Sequence, residues 1–103
     1  MRTILSAPEA ELHISVVSWW EIAVKHSIGK LPLPALMQDM AYRGFQLLSI
    51  TPSHINQVDQ LPFPDNGHRD PFDRLLIAQA ITENLTLLSS DAKFDAYPIR
   101  REF

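Results

Sequence analysis

The sequence contains no cysteine, and this absence excludes three kinds of chemistry at once. Without thiols the chain cannot form disulfides, bind zinc through thiolates or use a cysteine nucleophile. The sequence also lacks an apolar run long enough to span a membrane, and no signal peptide is visible at its start. We therefore expect a cytoplasmic protein with no membrane association.

Positive charge is scarce as well. The chain has 9 Lys and Arg against 12 Asp and Glu, which gives a formal net charge of -3. This balance excludes a nucleic-acid binder that is basic overall, although phosphate contacts depend on where local cations lie. With 46% hydrophobic and 20% charged residues in 103 positions, the composition predicts one globular domain over residues 1–103.

Strand and helix patterns alternate along the chain, which indicates an α/β fold with a mostly parallel sheet. The predicted strands cover residues 12–17, 45–50, 85–88 and 97–100. The predicted helices cover residues 18–28, 35–43, 51–60 and 70–83, with a single helical turn at 91–94.

The strongest helix prediction begins at Asp70. This residue is suited to the N-cap, Pro71 to the first helical position and Asp73 to the third. An earlier helix shows a different start signal, because Ser18-Trp-Trp-Glu21 matches the capping-box pattern.

Three acidic residues, Glu21, Asp73 and Asp91, fall just after predicted strands or in first helical turns. Segments beyond the carboxyl ends of strands line the ligand crevice of open α/β sheets. Carboxylates that converge there repel one another unless a proton or a cation bridges them, and Mg²⁺ is the usual hard cation. Such a site can activate water for a displacement at phosphorus. Each acid also fits a plain capping role, so spacing alone leaves both interpretations open.

Several cations fall in the same segments and could bind the phosphate backbone of RNA. They are Lys25, Arg69, Arg74 and Lys93. Scattered, solvated surface charges are the other interpretation of these four residues.

Three blocks of the sequence resemble, in order and spacing, successive blocks of PIN-domain proteins, and most closely the VapC-type toxins of bacterial toxin–antitoxin pairs. The blocks are SVVSWWEIAVKHSIGKLPL, RDPFDRLLIAQA and LTLLSSDAKFDAYPI. The resemblance implies a three-layer α/β/α sandwich and an endoribonuclease that depends on Mg²⁺ or Mn²⁺. It also implies an antitoxin protein that blocks the site.

The same resemblance assigns roles to individual residues. Glu21, Asp73 and Asp91 match the family's metal-binding and catalytic acids. Asp70 matches an accessory acid, and Ser89 matches a small hydroxyl residue that often lines the site.

The sequence departs from the family at its start. Family members normally begin with an apolar strand that ends in a metal-binding aspartate and lies in the middle of the sheet. Here no aspartate precedes Asp39, and residues 2–11 match a later stretch of the family. We therefore expect reduced or absent nuclease activity, with a non-catalytic remnant that binds an antitoxin as the alternative. Neighbouring strands left unpaired would favour a homo-oligomer or swapped dimer.

Overall fold

Residues 4–7, 11–29 and 45–102 are described by a computed structural model, and they form five strands, three α-helices and one 3₁₀ helix. The strands are β1 (Ile4–Ser6), β2 (Leu12–Ser15), β3 (Gln46–Leu48), β4 (Thr86–Leu88) and β5 (Arg101–Glu102). The helices are α1 (Val16–Ser27), α2 (Pro52–Gln60), α3 (Pro71–Glu83) and the 3₁₀ helix (Ala92–Ala96). The helix predicted over residues 35–43 lies outside the described residues.

The described strands form one sheet in the order β3-β2-β1-β4-β5. β2 pairs with β3 and β4 pairs with β5 in parallel, whereas β1 is antiparallel to both β2 and β4. Four of these strands therefore run in one direction, with the reversed β1 between them. The predicted α/β fold is confirmed, but the sheet is mixed, and no pattern in the sequence predicted β1.

β1 fills the middle of the sheet. Leu5 stands opposite His13 of β2 on one side and opposite Leu87 of β4 on the other, and its side chain is fully buried. The expectation that the middle of the sheet would be left unpaired is therefore wrong. The backbone groups of β2 and β4 already have partners in β1, so they do not require pairing with a second chain at that place.

The helix α3 lies at the centre of the molecule. Its residues from Asp73 to Ala80 are all buried, and it packs against α1, α2 and β4. Burial on all sides is typical of a helix in a core. The buried apolar residues of this core are Leu5, Val17, Leu61, Leu75, Leu76, Ile77, Ala78, Ala80, Leu85, Leu87, Phe94 and Tyr97. In the described ranges, no helix has both the length and the apolar character to cross a bilayer.

The start of α1 differs from the prediction. Ser15 is the N-cap, because its hydroxyl accepts a hydrogen bond from the backbone N–H of Val17 at 3.0 Å. The same hydroxyl contacts the side-chain oxygen of Gln79, which fixes the end of β2 against α3. Ser18 and Glu21 therefore do not form a capping box, and Glu21 lies in the second turn, where it does not cap the helix.

The last strand also differs from the prediction. It was expected over residues 97–100, but the paired residues are Arg101 and Glu102, opposite Leu87 and Leu88. Pro98 explains the difference, since it has no N–H to donate to a sheet and confines the chain around it to a bend.

Candidate metal and nucleic-acid site

A cavity of ≈ 290 Å³ lies between α1, the start of α3 and the 3₁₀ helix. Because β2 and β4 are both antiparallel to β1, their carboxyl ends lie at the same edge of the sheet. α1 follows β2, and the 3₁₀ helix follows β4, so both segments leave the sheet at this edge. The cavity is lined by Glu21, Val24, Lys25, Asp70, Phe72, Asp73 and Lys93.

Two of the predicted acids, Asp73 and Asp91, share one cation. The ammonium nitrogen of Lys93 lies 3.1 Å from Oδ2 of Asp73 and 3.0 Å from Oδ2 of Asp91. Asp73 is held in the first turn of α3, and Asp91 is the N-cap of the 3₁₀ helix. The fold therefore directs two carboxylates that are far apart in sequence at one positively charged position.

The protonation of this bridge follows from its contacts. The backbone N–H of Lys93 and then its ammonium group donate to Asp91, which lowers the pKa of that carboxyl below its ordinary value. Burial alone would lower the pKa of Lys93, but its hydrogen bonds to Asp91 and Asp73 outweigh burial and raise that pKa. At neutral pH Lys93 is therefore an ammonium and Asp91 is a carboxylate.

A second group holds Asp73 from the other side. His68 Nε2 lies 3.0 Å from Asp73 Oδ2, and His68 Nδ1 lies 2.7 Å from the Tyr97 hydroxyl. Arg74 donates to the same hydroxyl at 3.3 Å. In a neutral imidazole, donation from Arg74 to Tyr97 and from Tyr97 to His68 leaves the ring hydrogen on Nε2, which then donates to Asp73. This series of contacts fixes the orientation of the Asp73 carboxylate.

Glu21 lines the same cavity from α1, and its Oε2 lies 3.8 Å from the ammonium group of Lys25. Within the described residues, no group of three or more His, Cys, Asp or Glu side chains is arranged to hold a metal ion. The structure thus brings Glu21 and Asp73 to one cavity and joins Asp73 to Asp91 through Lys93. It does not assemble the three carboxylates around a single point: Lys93 lies between Asp73 and Asp91, and Glu21 lies beside Lys25.

The two accessory residues act on the backbone near these acids. Asp70 is the N-cap of α3, as predicted, and accepts a hydrogen bond from the backbone N–H of Asp73 at 3.0 Å. The buried Ser89 hydroxyl accepts a hydrogen bond from the backbone N–H of Asp91 at 3.2 Å. Both residues therefore position a neighbouring acid through its main chain.

The four cations assigned to RNA binding have different surroundings. Lys25 and Lys93 line the cavity, and Arg69 is exposed with its guanidinium 4.3 Å from the centre of the Phe63 ring. Arg74 is only 5% exposed and donates to the backbone carbonyls of Leu61 and Pro62. The assignment of Arg74 to RNA binding is therefore corrected, because its donors are used inside the protein and a phosphate cannot reach them.

His68 and Tyr97 are the residues near the acids that the sequence did not indicate. Neither forms part of a spacing typical of a metal or catalytic motif. Their contact joins a loop to the end of the 3₁₀ helix across 29 positions, which no local pattern records. A weak signal existed, since a histidine directly precedes the Arg-Asp-Pro-Phe-Asp block.

Comparison with known proteins agrees with this geometry. The family model of the PIN domain matches residues 1–99. No curated protein and no solved structure matches the chain significantly. PIN domains are generally nuclease-like and typically depend on divalent metals, and the acidic cavity at the carboxyl edge of the sheet suits both properties. The chain belongs to the PIN-domain family.

Proposed function

We propose that the chain is an endoribonuclease of the VapC toxin type that depends on Mg²⁺ or Mn²⁺. The observation that carries the proposal is the convergence of Asp73 and Asp91 on one cation position, with Glu21 in the adjoining cavity. Hard divalent cations prefer carboxylate oxygens and leave positions open for water and substrate phosphate. The cytoplasm is the compartment in which such an enzyme would meet its RNA.

The residues present fit a divalent cation in part. Asp73 and Asp91 already direct an oxygen at a positive charge, which is the donor set that Mg²⁺ accepts. Glu21 is the third acid we assign to the site. When bound, the cation would lower the pKa of a coordinated water and neutralise charge on the scissile phosphate.

The protein's own residues supply orientation and electrostatic attraction in this proposal. His68 holds Asp73, while Ser89 and the backbone of Lys93 hold Asp91. Lys25 and Arg69 are the cations we assign to the RNA backbone, since both reach solvent. Activity should be low, because the strand at the middle of the described sheet carries Ile-Leu-Ser and no acid.

A non-catalytic role in binding an antitoxin is the second candidate. A specific feature of α1 favours it: Trp20, Val24 and Ile28 recur every four residues and are 54%, 43% and 63% exposed. Apolar residues at this spacing form one exposed helix face, which is typical of a surface that packs against a partner protein. Trp20 also contacts Phe72 of the cavity wall with ring centroids 4.5 Å apart, so a partner on this face would lie next to the acids.

The test of catalysis is cleavage of a panel of RNAs with Mg²⁺ or Mn²⁺. Asp73→Asn should reduce the cleavage rate more than about 100-fold, a larger loss than removal of a residue that merely supports a metal ligand. Asp59→Asn is the matched control, since it makes the same change at an exposed carboxylate of α2 outside the cavity. Equal rates for wild type and Asp73→Asn would contradict the assignment.

The binding role requires a separate measurement. If wild type cleaves none of the RNAs but forms a stable complex with the product of a neighbouring reading frame, the second candidate is favoured. Trp20→Ser should then weaken that complex by at least about tenfold, as expected for an aromatic residue at the centre of an interface.

A further inference from the structure

Lys93 contacts both oxygens of Asp91 and one oxygen of Asp73. Its backbone N–H donates to Asp91 Oδ1 at 3.1 Å, and its ammonium group lies 3.0 Å from Asp91 Oδ2. The short 3₁₀ turn that Asp91 caps makes this possible, because it brings the residue two positions later back over the capping carboxylate. The ammonium then also reaches Asp73 on α3.

We propose that the Lys93 ammonium is a built-in cation of this site, which holds Asp73 and Asp91 together until a divalent ion displaces it. The inference rests on the proposed function in one respect, since it takes Asp73 and Asp91 as the pair that binds the metal. It goes further by assigning Lys93 to metal competition instead of RNA binding.

The ammonium and a divalent ion exclude each other at this position. Mg²⁺ binds carboxylate oxygens at about 2.0–2.1 Å. A divalent ion held by Asp73 and Asp91 would use carboxylate oxygens that the Lys93 nitrogen already contacts, at 3.1 and 3.0 Å. A divalent cation bound there would repel the ammonium at short range, so one must leave when the other binds.

The exposure of the bridge to solvent allows another cation to displace the Lys93 ammonium. The Lys93 side chain is 40% exposed and Asp91 is 48% exposed, so solvent reaches the contact. Ion pairs that solvent reaches are weak, and the flexible stem of a lysine lets its ammonium move into water. Asp73 remains oriented after such a movement, because His68 holds it independently of Lys93.

The experiment is a titration of the protein with Mn²⁺ alone, without RNA, followed by calorimetry or by the electron paramagnetic resonance of free Mn²⁺. Lys93→Met should bind Mn²⁺ about three- to tenfold more tightly than wild type, since two weak ion pairs no longer compete. Lys93→Arg keeps the charge and should bind no more tightly than wild type. The double variant Lys93→Met with Asp73→Asn should lose the gain.

Arg69→Met is the control. It removes one positive charge from an exposed side chain that lies over the Phe63 ring, and it leaves both the Asp73–Asp91 bridge and the Lys25–Glu21 pair in place. A gain confined to Lys93→Met supports the built-in cation. Equal gains in both variants would overturn it, because general electrostatic repulsion would then explain the result. Equal affinity of wild type and Lys93→Met would also overturn it.

A measurement on the wild-type protein covers the case in which Lys93→Met does not fold. Acetylation by an N-hydroxysuccinimide ester, read by mass spectrometry, should be slower at Lys93 than at Lys25 in metal-free protein. Saturating Mg²⁺ should raise the Lys93 rate several-fold. An unchanged Lys93 rate at saturation would contradict displacement.

The outcome is separable from that of the proposed function. Tighter Mn²⁺ binding by Lys93→Met, in a protein that cleaves no RNA, would support the built-in cation and contradict the nuclease proposal. If RNA cleavage depends on Asp73 but wild type and Lys93→Met have identical Mn²⁺ affinities, the nuclease proposal is supported and the built-in cation is contradicted.

Discussion

The two polar residues Asp73 and Gln79 lie six positions apart on α3 and are both buried, at 9% and 0% exposure, but they are held in different ways. Gln79 is held by three groups: its side-chain oxygen contacts the Ser15 hydroxyl, and its side-chain nitrogen lies 3.4 Å from Ser49 O and from His54 Nδ1. Asp73 instead contacts the Lys93 ammonium and the His68 ring.

The two residues therefore have different expected roles on one helix: Gln79 contributes to stability and Asp73 to binding. The Gln79 side chain is fully buried, and the loss of a buried hydrogen bond lowers the free energy of unfolding. The contacts of Asp73 include a partly exposed ammonium, which another cation can replace. We therefore expect substitutions around Gln79 to change the free energy of unfolding, and substitutions around Asp73 to change what the site binds.

The largest expected effect on stability is that of Gln79→Leu. Removing the amide leaves Ser15 and the carbonyl of Ser49 without a buried partner, which should lower the free energy of unfolding by about 3 kcal/mol. Urea denaturation measures this loss. Gln60→Leu, the same change at an exposed position at the end of α2, should cost less than about 0.5 kcal/mol.

Unchanged stability of Gln79→Leu together with altered Mn²⁺ binding would contradict this assignment of roles. That result would mean that the buried network supports the metal site instead of the fold. In the expected case, Gln79→Leu protein that is still folded binds Mn²⁺ with wild-type affinity.

The sequence predicted the ends of α3 well because they depend on adjacent residues. Asp70 caps the helix, Pro71 follows it and Asp73 occupies the first turn, as expected from their intrinsic preferences. Asn84 ends the helix in the left-handed region, with φ 55°. Each of these features requires only a few neighbouring residues to form.

β1 could not be predicted in the same way. Three residues are too few to show an alternating pattern, and Ile4–Ser6 becomes a strand only because β2 and β4 pair with it on both sides. The direction of β1 likewise depends on those distant partners. The absence of the family's usual central strand led to the expectation of a gap in the sheet, and β1 occupies that position.

The candidate site likewise has features that the sequence predicted and features that depend on distant contacts. Glu21, after β2, and Asp73, in the first turn of α3, were expected at the carboxyl edge of the sheet, and both line the cavity there, whereas Asp91 is joined to Asp73 through Lys93. The role of Lys93 depends on a side-chain conformation within a short turn, and the burial of Arg74 depends on carbonyls of the loop at Leu61. Neither is visible in residue type or spacing.

A smaller effect is expected from Tyr97→Phe, which changes the hydrogen-bond network around Asp73. The change removes the hydroxyl that joins Arg74 to His68 and should lower the free energy of unfolding by about 1 kcal/mol, less than Gln79→Leu. It should also weaken Mn²⁺ binding, because His68 would orient Asp73 less firmly. A loss of stability as large as that of Gln79→Leu, with unchanged Mn²⁺ affinity, would make this network purely structural.

The smallest effect concerns Asp95 and Arg101, an ion pair that resembles the Lys93 bridge but has only one carboxylate. Two hydrogen bonds from the Arg101 guanidinium, at 2.7 and 2.9 Å, lower the pKa of Asp95 below its ordinary value. A carboxyl whose pKa is lower in the folded state stabilises the protein above the unfolded pKa, near 4, and loses this contribution as the pH falls through the folded pKa.

Asp95→Asn should therefore be slightly less stable than wild type at neutral pH, and the difference should shrink as the pH falls below about 4. Thermal unfolding from pH 7 to pH 2 measures it, with Asp59→Asn as the control at an exposed carboxylate. The difference should stay small because the Asp95 side chain is 56% exposed. Arg101 donates hydrogen bonds to the Asp95 carboxylate, whereas Asp91 acts on Arg101 only through its charge, so Asp95→Asn should leave Mn²⁺ affinity unchanged. If it changed that affinity as much as Lys93→Met does, the two-carboxylate geometry at Lys93 would not be what sets metal binding.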